Sequence, residues 1–181
     1  PAMVDFAIPA SQAFGTGQHE TTAACLAMLD LMKREGLSVR NHADIGTGTG
    51  LLAFAAMHLW PSALATASDI DPAAIDSARF NAAANGVDVD LVHGDIDAVA
   101  DLVDSSGDGF DIVVANVLLA VHEHVATTVT RLTNPGAVLV LAGFLESQVD
   151  RAVAAYRHGC GSFETVDQAA VGDWCGVTLA R

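Results

Sequence analysis

Short apolar runs that end in glycine, aspartate or asparagine recur along this chain from about residue 42. Five of them read HADIG, ALATASD, VDLVHGD, FDIVVAN and AVLVLAG. Most of the intervening stretches space their apolar residues three and four apart, namely 51–59, 72–85, 118–132 and 146–158, whereas 96–108 is shorter and less regular. Strands that alternate with helices predict a parallel sheet with helices on both faces.

The two ends of the chain complete this pattern. Residues 20–35 carry apolar positions at helical spacing, and Gly36 ends the predicted helix. The last two apolar runs, 162–170 and 174–180, are too close together for a parallel crossover and predict an antiparallel hairpin. We therefore expect one α/β domain over residues 1–181, with an N-terminal loop and helix at 1–35 and a doubly wound core at 36–181.

Charge and composition limit the classes of partner. The net charge is −14 and Lys33 is the single lysine, so the surface should repel phosphate backbones and disfavour direct binding of nucleic acid. The same charge would attract a cationic protein segment, or would serve solubility alone. No apolar run approaches the ~20 residues of a membrane span, and the start of the chain lacks signal-peptide features. Three cysteines without a CxxC pair indicate free thiols, which are typical of a reducing compartment. Together these features predict a cytoplasmic location without membrane association.

A glycine cluster at residues 44–50, DIGTGTG, follows the first strand and leads into a helix. Backbone N–H groups in such a turn can face an anionic or polar ligand. A dinucleotide fingerprint would place its third glycine at 51, where this chain has Leu51, and a Walker loop would need a lysine. Those two ligand classes therefore fit poorly, and a tight turn without a ligand stays open.

Polar residues stand where three further strands end, at the edge of the sheet where ligands bind in open α/β folds. Asp69 follows Gly46 by about 20 residues, as the acidic residue that accepts ribose hydroxyls does in the dinucleotide fold. Asp71 before Pro72 instead indicates a helix N-cap. Asp95 is either such a cap or an acceptor for an adenine amine. Asn116 is either a cap or an acceptor that orients a neutral amine for attack.

Histidines next to acidic residues suggest a metal site only superficially. His122 and His124 are two residues apart and cannot share a helix face, and His19 lacks a partner at the spacing of HExxH. The sequence therefore predicts no metal site.

Five segments of the chain read AFGTGQHETT, DIGTGTGLLAFAA, SDIDP, FDIVVANVLL and LAGFLESQ. Together, from about residue 9 to the C-terminus, they resemble the ribosomal protein L11 methyltransferase (PrmA) family, and the first segment is the most specific. The resemblance implies a Rossmann-like class I methyltransferase with a seven-stranded, mostly parallel sheet. It also implies an S-adenosylmethionine (AdoMet) cofactor, S-adenosylhomocysteine as its product, and trimethylation of lysine side chains and an α-amine of a ribosomal protein.

The resemblance also implies a set of site residues. Cofactor contacts carry over to Thr22, Gly46, Asp69 and Asn116, with Phe14 and Gly48 nearby. Asn116 would also face the acceptor amine and is the predicted catalytic residue. Thr16 and His19 would shape the first loop over the cofactor. Methyl transfer depends mainly on in-line geometry and exclusion of water, so no general base is required.

Two departures from the family concern the acceptor. Family members carry an N-terminal substrate-recognition domain, absent here, so the chain is expected to be either a piece of a longer protein or a short relative. The family pattern Asn-Ile-Leu-Ala-x-Pro-Leu is replaced by NVLLAVHEHV. We predict an AdoMet-dependent protein N-methyltransferase. The alternatives are a stand-alone class I methyltransferase for another protein or a small amine, and a non-catalytic AdoMet-binding or scaffolding protein.

Overall fold

The computed structural model describes residues 5–8, 20–158 and 163–181, with the side chains of 104–106 excepted. Its strands are β1 (Asn41–Ile45), β2 (Leu64–Asp69), β3 (Asp90–His93), β4 (Phe110–Asn116), β5 (Thr133–Leu145), β6 (Glu164–Val171) and β7 (Trp174–Ala180). Its helices are α1 (Glu20–Arg34), α2 (Leu51–Leu59), α3 (Pro72–Asn85), α4 (Ile96–Ser106), α5 (Leu119–Arg131) and α6 (Val149–Arg157). A 3-10 turn, Glu146–Gln148, joins β5 to α6.

The strands form one seven-stranded sheet in the order β3-β2-β1-β4-β5-β7-β6. Strands β1 to β5 pair in parallel, and β7 pairs antiparallel with both β5 and β6. This confirms the predicted mixed sheet and its C-terminal hairpin. The strand order reverses between β1 and β4, and the carboxyl ends of these two strands form the crevice in which ligands bind in such folds.

Two clusters of buried side chains hold helices α1, α2, α4, α5 and α6 to opposite faces of the sheet. Helices α1 and α2 pack on the face that carries Ile112 and Val114. Helices α4, α5 and α6 pack on the face that carries Val113 and Ala115. Consecutive residues of β4 thus point to different cores, as the two-residue period of a strand requires, and both faces are covered as predicted.

Local capping chemistry sets two helix starts. The Asp71 carboxylate accepts a hydrogen bond from Ala73 N at 2.8 Å, with Pro72 in the first turn of α3. The Asp95 carboxylate accepts from Asp97 N at 3.0 Å and starts α4. The cap interpretation of both aspartates is confirmed, and so is a helix within 96–108.

Strand β5 begins at Thr133, ahead of the apolar run at Ala137 that predicted it. The early part pairs through Phe110 and Thr133, and a bulge separates this pair from the ladder that continues at Ile112. The Asn134 amide donates to Asp111 Oδ1 at 2.7 Å and to Gly109 O at 2.9 Å. Side-chain hydrogen bonds that periodicity does not reveal therefore extend this strand.

Within the described part of the chain, no helix combines the length and the apolar content needed to cross a membrane.

Candidate functional site

The glycine turn after β1 is joined to the end of β2 by backbone hydrogen bonds. Gly46 N and Thr47 N both donate to Ser68 O, at 2.8 and 2.9 Å. Gly46, Gly48 and Gly50 all have positive φ, a conformation that side chains with a Cβ rarely adopt. The G-x-G-x-G spacing is therefore required by the backbone path itself.

A buried carboxyl group, that of Asp44, holds this turn through hydrogen bonds. Asp44 is 1 % exposed, and its Oδ2 accepts from Thr47 Oγ1 at 2.7 Å and from Ala53 N at 3.2 Å. Burial raises its pKa to about 6, although both hydrogen bonds act in the opposite direction. Asp44 thus connects the end of β1, the turn and the first turn of α2.

Asp69 lies at the end of β2, half-buried, beside the glycine turn. Its Oδ2 accepts from Gly48 N and its Oδ1 accepts from Asp71 N, both at 3.0 Å. Each carboxylate oxygen has two acceptor positions, so each keeps one for a further donor. The carboxylate is fixed in place and still has the acceptor capacity to bind two vicinal hydroxyl groups.

Asn116 lies at the end of β4, half-buried, across the crevice from the glycine turn. Its Nδ2 donates to Thr22 Oγ1 at 3.3 Å, and Thr22 is buried in α1. Because the amide nitrogen is used in this way, the oxygen Oδ1 is the end of the amide that can accept from an amine.

Val117 joins the two halves of the site, which are the glycine turn after β1 and the end of β4 that carries Asn116. A Cβ added at Gly46 would lie 2.4 Å from Val117 Cγ1, and one added at Gly143 would lie 2.4 Å from Val117 O. Both glycines have positive φ. The turn after β4 is therefore packed between the glycine turn and a bulge in β5, which places Asn116 relative to Gly46.

The structure brings together five of the predicted site residues. Asp69 is bonded to Gly48, Asn116 is bonded to Thr22, and Val117 links Asn116 to Gly46. A sixth residue, Asp95, is exposed and is occupied as an N-cap, and its contact with adenine stays a prediction. Phe14, Thr16 and His19 lie outside the described residues.

Sequence reasoning missed Asn81, which helps to hold the glycine turn. Asn81 is 2 % exposed in α3, and its Nδ2 donates to Thr49 O at 2.9 Å. A buried amide in a helix with this composition gives no local signal of its partner, because the partner lies in another element. Val117 was missed for the same reason.

The two histidines of the HEH segment lie on different sides of α5, as predicted. His122 is fully buried, whereas His124 is exposed. Among the described residues, no three His, Cys, Asp or Glu side chains are grouped so that they could hold a metal ion.

Comparison with known proteins decides the family. The model of the family described as ribosomal protein L11 methyltransferase (PrmA) matches residues 4–181. The chain belongs to the PrmA family. A ribosomal protein L11 methyltransferase of Rhodopseudomonas palustris is 38% identical over 178 residues, which is 96% of this chain and 58% of the relative. One of Brucella abortus is 37% identical over 157 residues, or 87% of this chain and 54% of the relative.

Solved structures agree with this assignment. A ribosomal protein L11 methylase of Lactobacillus delbrueckii superposes with a TM-score of 0.76 at 27% identity, covering 93% of this chain and 81% of that one. The 16S rRNA N2 G1207 methyltransferase of Thermus thermophilus, solved with AdoMet and guanosine, has the same fold, with a TM-score of 0.69 at 22% identity, over 93% of this chain and 45% of that one. The predicted Rossmann-like methyltransferase fold is confirmed, and membership in the PrmA methyltransferase family indicates AdoMet as the cofactor. The chain spans somewhat more than half of the length of the curated relatives named above.

Proposed function

We propose that this PrmA-family chain binds AdoMet in the crevice between β1 and β4 and transfers its methyl group to amine nitrogens of a ribosomal protein of the L11 type. The observation that carries the proposal is that two polar side chains, each held in place by a hydrogen bond, lie on either side of that crevice. Asp69 is held by Gly48 on the β1–β2 side, and Asn116 is held by Thr22 on the β4 side.

The β1–β2 side fits the cofactor through the chemistry of its acceptors. The Asp69 oxygens each keep one acceptor position, which suits the two ribose hydroxyls. The neighbouring backbone at Gly46 and Gly48, together with Thr22 and Phe14, would contact the rest of the cofactor, and Asp95 would reach the adenine amine. When bound, AdoMet supplies an electrophilic methyl group on a sulfonium.

The β4 side would hold the acceptor. Asn116 Oδ1 can accept a hydrogen bond from an amine N–H, which favours the neutral amine and orients its lone pair. A protonated amine has no lone pair with which to attack. The contribution of this chain to the reaction is then mainly positioning and exclusion of water, the two effects on which methyl transfer depends most.

The charge of the chain suits a basic acceptor. A net charge of −14 attracts the cationic surface typical of ribosomal proteins and repels RNA, which supports a protein acceptor without direct contact with nucleic acid. An acceptor that is synthesised and assembled in the cytoplasm supports a cytoplasmic location for the enzyme.

Calorimetric titration with AdoMet and S-adenosylhomocysteine tests the cofactor site. We expect Asp69→Ala to weaken AdoMet binding by about 1–3 kcal/mol, because hydrogen bonds to the ribose are lost. Asp71→Ala is the matched control, since it removes a neighbouring carboxylate that caps α3 and should leave AdoMet affinity unchanged. Unchanged affinity in a folded Asp69→Ala protein would contradict the ribose role, and absence of AdoMet binding at millimolar concentration would favour a scaffolding protein.

Transfer of labelled methyl groups tests the acceptor. We expect label in purified ribosomal protein L11, with mass spectrometry locating it on lysine side chains and the α-amine. The same reaction in cell extract decides between acceptors. Label in another protein or a small amine, with none in L11, would favour the stand-alone methyltransferase.

A further inference from the structure

A buried histidine joins three elements directly behind the turn that carries Asn116. His122, in the first turns of α5, is 0% exposed. Its Nε2 lies 2.9 Å from Ala142 O in β5, and its Nδ1 lies 2.8 Å from Tyr156 Oη in α6. Tyr156 is itself fully buried. Because a carbonyl only accepts, Nε2 carries the proton, and neutral Nδ1 accepts from the tyrosine hydroxyl.

The carbonyl that His122 contacts also holds the turn after β4. Ala142 O accepts from Val117 N at 3.0 Å, and Ala142 is the β5 residue paired with Asn116. The peptide of His122 belongs to the same turn, since its N–H donates to Leu118 O at 3.2 Å. One acceptor in β5 thus fixes both ends of the segment 117–122.

We propose that His122 is a positioning residue for methyl transfer, which fixes the turn bearing Asn116 by hydrogen bonding to Ala142 O and is itself held by Tyr156. The inference rests on the proposed role of Asn116 toward the acceptor amine. A purely apolar side chain at position 122 would fill the same space but would leave Ala142 O with one donor fewer and the buried Tyr156 hydroxyl without its acceptor. The turn could then move relative to β5, and Asn116 would move with it.

Three variants separate positioning from stability. His122→Leu removes both hydrogen bonds, while His122→Gln places an amide N–H near the former Nε2 and keeps a donor to Ala142 O. Val129→Ala is the stability control, because Val129 is buried in the same helix but lies two turns away from the site. Each protein is assayed for kcat and KM with ribosomal protein L11 and for AdoMet affinity.

We expect His122→Leu to lower kcat about tenfold, because small displacements of a positioning group have large effects on rate. AdoMet affinity should change less than kcat, because the Asp69 carboxylate is held by Gly48 N and Asp71 N, outside the segment 117–122. His122→Gln should restore kcat to within about threefold of the wild type, and Val129→Ala should leave kcat at the wild-type level. A His122→Gln protein as slow as His122→Leu, or an equal loss in Val129→Ala, would overturn the proposal.

Hydrogen exchange of the Val117 amide tests the same proposal without any acceptor. We expect this amide to exchange about tenfold faster in His122→Leu than in the wild type, relative to amides in the middle of β4, and at the wild-type rate in His122→Gln. If the wild type fails to methylate L11, the proposed acceptor is wrong, and this measurement alone decides the role of His122. Unchanged Val117 exchange in His122→Leu would refute it.

Discussion

Three glycines with positive φ form a series that tests how Val117 is packed between the two halves of the site. Gly86 ends α3 at φ 64, and a Cβ there would meet nothing within 4 Å. A Cβ at Gly46 would meet the Val117 side chain at 2.4 Å, and one at Gly143 would meet Val117 O at the same distance. Alanine at position 86 therefore introduces backbone strain alone. At position 46 it adds a clash with a side chain, and at position 143 it adds a clash with the backbone.

The expected magnitudes follow from these contacts. Left-handed backbone costs alanine about 1–2 kcal/mol, and this cost is shared by all three variants, as is the small gain from a less flexible unfolded chain. Gly86→Ala should therefore lower the free energy of unfolding by about 1 kcal/mol, which is the strain less that gain. Overpacking adds about 1–3 kcal/mol at Gly46 and at least as much at Gly143, where no side-chain rotation can relieve the contact.

Urea unfolding, followed by far-UV circular dichroism, measures these differences. Val117→Ala, made alone and in each glycine variant, completes double-mutant cycles. In the Gly46→Ala protein, Val117→Ala should restore the unfolding free energy lost to overpacking, about 1–3 kcal/mol, because the clashing methyl group is removed. In the Gly143→Ala protein it should restore none, because the clash is with the backbone. Equal destabilisation of Gly46→Ala and Gly86→Ala, or equal rescue of both clashing variants, would refute the packing we describe.

Buried ionisable groups give three further predictions. Burial lowers the pKa of both His42 and His122 to about 4, so the unfolded state gains their protons first as pH falls below 6.5. Asp44, raised to about 6, opposes this between pH 6 and 4. With about 3 kcal/mol per group, the two histidines outweigh Asp44 and leave a net loss of about 3 kcal/mol from pH 7 to 4, measured by urea unfolding at each pH, and constant stability would contradict it. Asp44→Asn should deepen that loss, because the opposing carboxyl is gone. His42→Leu should add about 1–3 kcal/mol at pH 7, since neither ring nitrogen of His42 has a hydrogen-bond partner among the described residues, and lower stability would show a hidden partner.

Local patterns predicted the elements well because each depends on neighbours in sequence. The five strand runs, the terminal hairpin and the cap at Asp71 follow from periodicity, connection length and capping chemistry, and a cap was one of the two interpretations of Asp95. The extra length of β5 did not follow, because it depends on the Asn134 amide reaching Asp111 in another strand. The same limit hid the partners of His122. The sequence predicted that His122 and His124 lie on different sides of a helix, but it could not connect His122 to Tyr156 and Ala142.

The glycine pattern itself shows where sequence inference about a site is strong and where it is weak. Gly46 has the spacing of a ligand-binding glycine, yet the space a Cβ would occupy is filled by Val117 of the same chain. A turn that binds no ligand but packs against Val117 in this way would also require glycine at this position. The motif alone therefore cannot distinguish a ligand-binding turn from a purely structural one. The bond from Gly48 N to Asp69 is more informative, because it places a carboxylate with remaining acceptor capacity beside the turn at the reversal of strand order. The proposal of a ribose site therefore rests on the pair of features, a glycine turn and an acidic residue at the end of the next strand, and neither feature supports it alone.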